Sequence, residues 1–137
     1  MARLIAARRT AVVPRGGAFA RLSIEDLAAP ILAACLADAG LSANQVDEVI
    51  LSNVLGAGGN PARRVALAAG LPQNVAGLTT DRQCAGGLDA ILLAKALVDS
   101  GGRVGLVGGR RLPVTFRLAQ LLQFRAPPQQ LVEVLGR

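Results

Sequence analysis

The 137-residue sequence contains no histidine, tryptophan or tyrosine, and its aromatic content is three phenylalanines, Phe19, Phe116 and Phe124. Histidine is the usual general base of enzymes and a common metal ligand, so its absence excludes a cysteine–histidine pair completed within these residues. Any core must be built from Ala, Leu and Val, and a hydrophobic content of 52% suits one domain of ordinary size. Cysteine is nearly as scarce. Cys35 and Cys84 make no disulfide framework, and a reducing cytoplasm is the expected compartment. No apolar run of signal-peptide length follows Arg8-Arg9, and Asp89, Lys95 and Asp99 interrupt the most apolar helix, so no membrane span is expected.

The net charge of +6 would ordinarily point to an acidic partner, but its distribution is uneven. Residues 1–109 hold ten Arg/Lys against eight Asp/Glu, whereas residues 110–137 hold five arginines against Glu133 alone. The basicity belongs mainly to the tail.

Read in order, Thr10-Ala11-Val12-Val13 is a short β-prone run stopped by Pro14-Arg15-Gly16-Gly17, and it predicts a first strand. Ser23 followed by Asp26 has the form of a capping box, and Ile24, Leu27, Ala28, Ile31, Cys35 and Ala39 recur at helical spacing up to Gly40. Pro30 should kink that helix or delay its start. Val49 to Leu55 reads as a strand buried on both faces, which implies a parallel sheet. Gly56-Ala57-Gly58-Gly59 turns the chain into a helix capped by Asn60, begun by Pro61 and stopped at Gly70. Val75 to Thr80 predicts a third strand, and Arg103 to Val107 a fourth. Between them a helix from about Cys84 to Ser100 is apolar nearly all round over 90–98, the pattern of a helix buried on more than one side. The expected architecture is α/β, a β-α-β-α-β-α-β unit with right-handed crossovers. Beyond Gly109 this alternation stops. Residues 110–137 read as an irregular basic tail, with Leu118, Leu121 and Leu122 able to form one helical turn.

The candidate chemistry sits at Thr79-Thr80-Asp81-Arg82-Gln83-Cys84-Ala85-Gly86-Gly87-Leu88-Asp89-Ala90, where an extended segment becomes a helix. A thiol at a helix start faces free N–H groups and the positive end of the dipole, which favour the nucleophilic thiolate. Acyl transfer is the logical reaction, with backbone N–H groups to stabilise the oxyanion and Gly86 and Gly87 permitting close approach of a substrate. Other patterns carry less. The loop before Pro61 fails the dinucleotide fingerprint, because proline stands where the third glycine belongs, and no phosphate loop is present. A nucleophile elbow is half matched, with Gly86 present and Arg82 in place of the other glycine. Arg63-Arg64 read as solvated helix residues, and Cys35 as core.

Several anchors together resemble one family, the thiolases, over about residues 9–109. They are Arg9-Thr10, Val46-Asp47-Glu48-Val49-Ile50, Gly59-Asn60-Pro61-Ala62-Arg63, Ala69-Gly70-Leu71-Pro72 and Asp81 through Ala90. The last is similar to the family's segment bearing the acyl-accepting cysteine; Gly86 departs from it, since the family usually has serine there. The resemblance implies a truncated thiolase N-terminal domain over 1–109, with Cys84 taking the acyl group from an acyl-CoA or acetyl-CoA in fatty acid or ketoacyl metabolism. The acyl-CoA is a substrate; no bound cofactor and no metal are implied. The family's fold is duplicated and usually dimerises. Thiolases draw their catalytic histidine and second cysteine from the C-terminal half, so this chain is expected to be incomplete for turnover, with a separate polypeptide as one source of the missing half. Arg110-Arg111-Leu112-Pro113-Val114 can be encoded so that a one-nucleotide shift reads valine-aspartate-serine-arginine-serine, close to the thiolase continuation, and a frameshift near Gly109 is the resulting hypothesis. Two other readings stay open: a catalytically silent α/β fragment or binding module, and an acidic-surface or nucleic-acid binder acting through the tail.

Overall fold

The computed structural model describes residues 2–14, 16–54, 58–101, 104–111 and 115–123. Among them are the strands β1 (Arg3–Arg8), β2 (Glu48–Ser52), β3 (Ala76–Thr80), β4 (Val104–Arg111) and β5 (Thr115–Gln123). The helices are α1 (Ile24–Ala39), α2 (Pro61–Ala68) and α3 (Gly86–Asp99). The strands form one mixed sheet in the order β1-β5-β4-β2-β3, with β2 parallel to both β3 and β4, as the alternating pattern predicts. β5 runs antiparallel to β4 and to β1.

Besides β2, which ends at Ser52 short of the expected run to Leu55, three elements differ from the sequence expectation. The first strand is Arg3–Arg8, not Thr10 to Val13. Pairing rather than propensity decides this: β1 lies along β5, buries Ala6 in the core and anchors Arg8 to Asp38 of α1, whereas Val12 is 63% exposed. The fourth strand runs on to Arg111, past Val107. The third difference lies in the tail, where Thr115–Gln123 form β5 in place of irregular chain or a helical turn. Leucine spacing cannot reveal such a segment, because its backbone groups are satisfied by two neighbours distant in sequence, β1 and β4. Residues 55–57, 112–114 and 124–137, which include parts of the glycine loop and Pro127-Pro128, lie outside the described residues.

The two helices before α3 start on sequence-encoded caps. Ser23 Oγ accepts from the Asp26 N–H at 3.1 Å while Asp26 Oδ2 accepts from the Ser23 N–H at 2.8 Å, a reciprocal capping box. Those bonds hold the Asp26 carboxyl below the usual carboxylate range. Pro30 neither delays α1 nor ends it. Asn60 caps α2 through the Arg63 N–H at 3.2 Å, with Pro61 in the first turn.

The sheet is covered on both faces. On one, α1 and α2 enclose a continuous core that includes Ile24, Leu32, Cys35, Val49, Leu51 and Val65. On the other, α3 packs against β2 through Ile50, Ala90 and Ala94, with Leu78, Ile91 and Leu93 beside them. Alternate residues of β2 thus serve opposite layers, which is why the strand reads as a nearly unbroken apolar run. Close approach fixes the fit of α2. A Cβ on Gly77 of β3 would stand 2.6 Å from Arg63 Cα, so only glycine lets the helix lie this near the strand.

Helix α3 is buried along Gly86, Ala90, Ala94 and Val98, whereas Leu88 and Leu92 are 61% and 53% exposed. Its second apolar face, expected from the all-round pattern to be covered as well, is open within this chain.

Candidate active site

Cys84 lies in the connection between β3 and α3, at the middle of a tight 3-10 turn formed by Gln83–Ala85. The chain enters this turn under constraint. Asp81 Oδ1 accepts from the Gln83 N–H at 3.0 Å, and Gln83 takes φ +49°, the left-handed region that disfavours a residue with a side chain. Backbone held this way costs roughly 1–3 kcal/mol and persists only where surrounding contacts impose it. Those contacts are present. The Ala85 N–H donates to Arg82 O at 3.1 Å and the Gly86 N–H to Gln83 O, closing the turn from within. Arg82 then bridges to Asp89 in the first turn of α3, its Nη1 lying 3.0 and 3.1 Å from the two carboxylate oxygens.

The thiol so placed is exposed, and α3 begins at its shoulder without a capping side chain. The Gly86 N–H is taken by Gln83 O within the turn, but no side chain caps the remaining first-turn N–H groups, and the positive end of the dipole is directed the same way. Among the described elements, only this one joins an accessible nucleophile to backbone donors suited to a developing oxyanion.

The second cysteine offers the contrast. Cys35 is buried in the core between α1 and the sheet, and burial, reinforced by the nearby Asp38 carboxylate, pushes its thiol up to about 11. It remains protonated and unreactive near neutrality, which agrees with its reading as core.

The remaining candidate residues prove structural. Asn60 Nδ2 donates to Gly77 O at 2.6 Å and Asn60 Oδ1 accepts from Thr79 Oγ1 at 2.6 Å, while Thr79 Oγ1 also accepts from the Ala62 N–H at 3.0 Å. Side chains thus fill the start of α2. Arg63 is not a solvated residue, because its guanidinium donates to Val75 O at 2.5 Å and Gln73 O at 2.7 Å, stitching α2 to the segment before β3. Arg64 pairs with Glu25 at 2.6 Å.

Two residues near the cysteine turn do not stand out in the sequence. Ser52 and Thr80 are register partners at the carboxyl ends of β2 and β3, and the hydroxyl oxygen of each is buried without a hydrogen-bond partner. The one signal for them is a serine closing the otherwise apolar run Val49-Ile50-Leu51. Among the described residues, no group of three or more His, Cys, Asp or Glu could hold a metal ion, and no helix is long and apolar enough to cross a membrane.

The family described as "Thiolase, N-terminal domain" matches residues 2–111. The chain belongs to the thiolase family. YhfS of Bacillus subtilis (strain 168) is 46% identical over 107 residues, 77% of this chain and 29% of the relative. The acetyl-CoA acetyltransferase of Cupriavidus necator is 40% identical over 108 residues, 77% of this chain and 28% of the relative. The crystal structure of the Bacillus anthracis acetyl-CoA acetyltransferase superposes with a TM-score of 0.77 at 36% identity, over 79% of this chain and 28% of that one. The fold is therefore a partial thiolase-like α/β unit. The chain spans less than a third of the length of these thiolase relatives.

Proposed function

We propose that this chain carries the acyl-accepting step of a thiolase-type acyltransferase, with Cys84 as the nucleophile. Cys84 Sγ attacks the thioester carbonyl of an acyl-CoA; a new C–S bond forms to the protein, the C–S bond to CoA breaks, and the thiol proton passes to the departing CoA sulfur. Backbone N–H groups at the uncapped start of α3 stabilise the tetrahedral oxyanion between these events. The observation that carries the reading is an exposed cysteine on a strained turn at a bare helix start, within a family whose named relatives include acetyl-CoA acetyltransferases.

The 137 residues contain no histidine, so the base that completes a catalytic cycle comes from outside them. A thiolase C-terminal half is the source the resemblance implies, and the exposed apolar face of α3 around Leu88 and Leu92 is the surface it would cover. In keeping with the resemblance, the assembled enzyme would be a homodimer acting in the cytoplasm on acyl-CoA, without a further cofactor. The composition change after Gly109 is explained by a frameshift, and the family match ends at residue 111. The coding sequence tests that origin: if no single-base shift restores a thiolase-like continuation, it is wrong.

The function is tested by incubating the 137-residue protein with acetyl-CoA and mapping adducts by mass spectrometry. An acetyl group confined to Cys84 and lost in Cys84→Ala is expected. Equal labelling of Cys35 and Cys84, or none on either, contradicts the proposal and favours a catalytically silent fragment.

A further inference from the structure

Gly86 and Ser52 occupy one space. A Cβ built on Gly86 would stand 1.8 Å from Ser52 Oγ and 2.9 Å from Ser52 Cβ, distances that no relaxation of a buried strand residue accommodates cheaply. Ser52 is 1% exposed and its hydroxyl has no hydrogen-bond partner, so it is aimed at the first residue of α3, two positions from Cys84. Burying a hydroxyl without a partner costs stability, and valine or alanine chemistry would serve the core of β2 better. Packing therefore does not explain it. Thr80, the register partner of Ser52 on β3, carries a second buried hydroxyl without a partner. Two residues back on the same strands, Ile50 and Leu78 both lie in the cluster under α3, so the two hydroxyls share the face beneath the cysteine turn. They sit at the carboxyl ends of parallel strands, where open α/β sheets place their ligand sites.

We propose that Ser52 is a positioning residue for the acyl-accepting turn: its hydroxyl, in the space left by the missing side chain at Gly86, sets the path of the backbone that presents Cys84. The polar group that a serine at position 86 would bring to this point is here carried by the strand instead of the helix. This rests on the acyl-transfer reading of Cys84, but part of its test does not depend on acyl transfer.

Three variants of the 137-residue protein decide it: Ser52→Ala, Gly86→Ser and the exchange Ser52→Gly/Gly86→Ser. Each is measured for thermal stability, for alkylation of Cys84 by iodoacetamide and for acetyl transfer from acetyl-CoA. Ser52→Ala is expected to keep or raise the melting temperature while lowering the maximal rate of acetyl transfer several-fold at unchanged half-saturation by acetyl-CoA. A residue with a merely structural role would lose stability instead. Gly86→Ser displaces the turn, and a shift of about 1 Å at a reacting atom costs on the order of a hundredfold in rate. The exchange removes both clashing atoms and returns a hydroxyl from the helix side, so it is expected to restore alkylation and acetyl transfer to near the wild-type rates. The proposal is overturned if Ser52→Ala reacts like the wild type in both assays, or if the exchange folds but stays as slow as Gly86→Ser. Should Gly86→Ser fail to fold, Ser52→Ala, which only removes an oxygen, carries the test. A wild type that alkylates at Cys84 but takes no acetyl group would defeat the acyl-transfer reading, and the alkylation rates would still judge Ser52.

Discussion

The two faces of the sheet are built to different standards. On the α1/α2 side, apolar residues from β1, β2 and both helices close a continuous core, the helix starts are capped, and Cys35 is sealed within. On the α3 side, among the described residues, Ile50, Ala90 and Ala94 anchor the helix, its start has no side-chain cap, a buried serine hydroxyl is left unpaired beneath it, and Cys84 faces solvent. The second face retains features that stability alone would remove: strained backbone, a helix start without a side-chain cap and an unpaired polar group. Reactive chemistry needs such features, and the closed face supplies the rigidity that keeps them in place.

The largest effect separating the faces is expected in cysteine reactivity. Iodoacetamide at neutral pH should modify Cys84 at least about a hundredfold faster than Cys35, since burial both blocks access and disfavours the Cys35 thiolate. In denaturant the two rates should converge. Comparable rates in the native protein would erase the distinction between the faces, and quantitative peptide mapping reads them directly.

How much of this contrast is legible in the sequence varies by element. Caps are local, so Ser23, Asp26, Asn60 and Pro61 announce their helices from the residue pattern alone. The place of Cys84 at a strand–helix junction is equally plain, because the junction lies within a dozen residues. What escapes depends on distant neighbours. β1 and β5 exist by pairing with each other and with β4, so neither Arg3–Arg8 nor Thr115–Gln123 carries its own signature. The same holds at the site. Ser52 lies 34 positions before Gly86 in the numbering, and only the fold shows that one fills the space of the other. The 3-10 turn that sets α3 back to Gly86 follows from Gln83 at positive φ, a conformation no sequence pattern here requires.

Core substitutions should sharpen the comparison at the next level of magnitude. Leu32 is completely buried between α1 and the sheet, and Leu32→Ala is expected to cost about 2–5 kcal/mol. Leu92, 53% exposed on α3, should change stability by no more than about 0.5 kcal/mol on conversion to alanine. Urea unfolding measures both. A comparable loss from Leu92→Ala would mean that the open face is covered in solution, and a matching change in sedimentation would identify self-association as the cause.

The closed face should also respond to alkali. Burial raises the Cys35 thiol from 9.0 to about 11, so between those values the folded chain holds a proton that the unfolded chain has released. With more protons bound to the native state, stability falls as pH rises. The slope through that window should be no steeper than about 1.4 kcal/mol per pH unit. It should vanish in Cys35→Ala, and chemical unfolding at intervals from pH 8 upward would show it. A slope that survived Cys35→Ala would show that the sealed thiol is not its source.

The smallest effect concerns the helix starts. Asn60 accepts from the Arg63 N–H, donates to Gly77 O and receives the Thr79 hydroxyl, so it ties the first turn of α2 to β3 as well as capping it. Asn60→Ala removes all three bonds and should destabilise the protein by about 1–2 kcal/mol, the range for a lost cap together with its tie to β3. At the matching place before α3, Ala85 makes no side-chain cap, and Ala85→Gly has none to remove. Its cost should stay near the few tenths to about 1 kcal/mol of backbone entropy that glycine adds. Differential scanning calorimetry on the pair tests whether the difference in capping is energetic as well as geometric. Equal losses would show that the start of α3 is held by contacts as strong as a cap, with the Arg82–Asp89 bridge the first to examine, and its donors would then be less free for an oxyanion than the geometry implies.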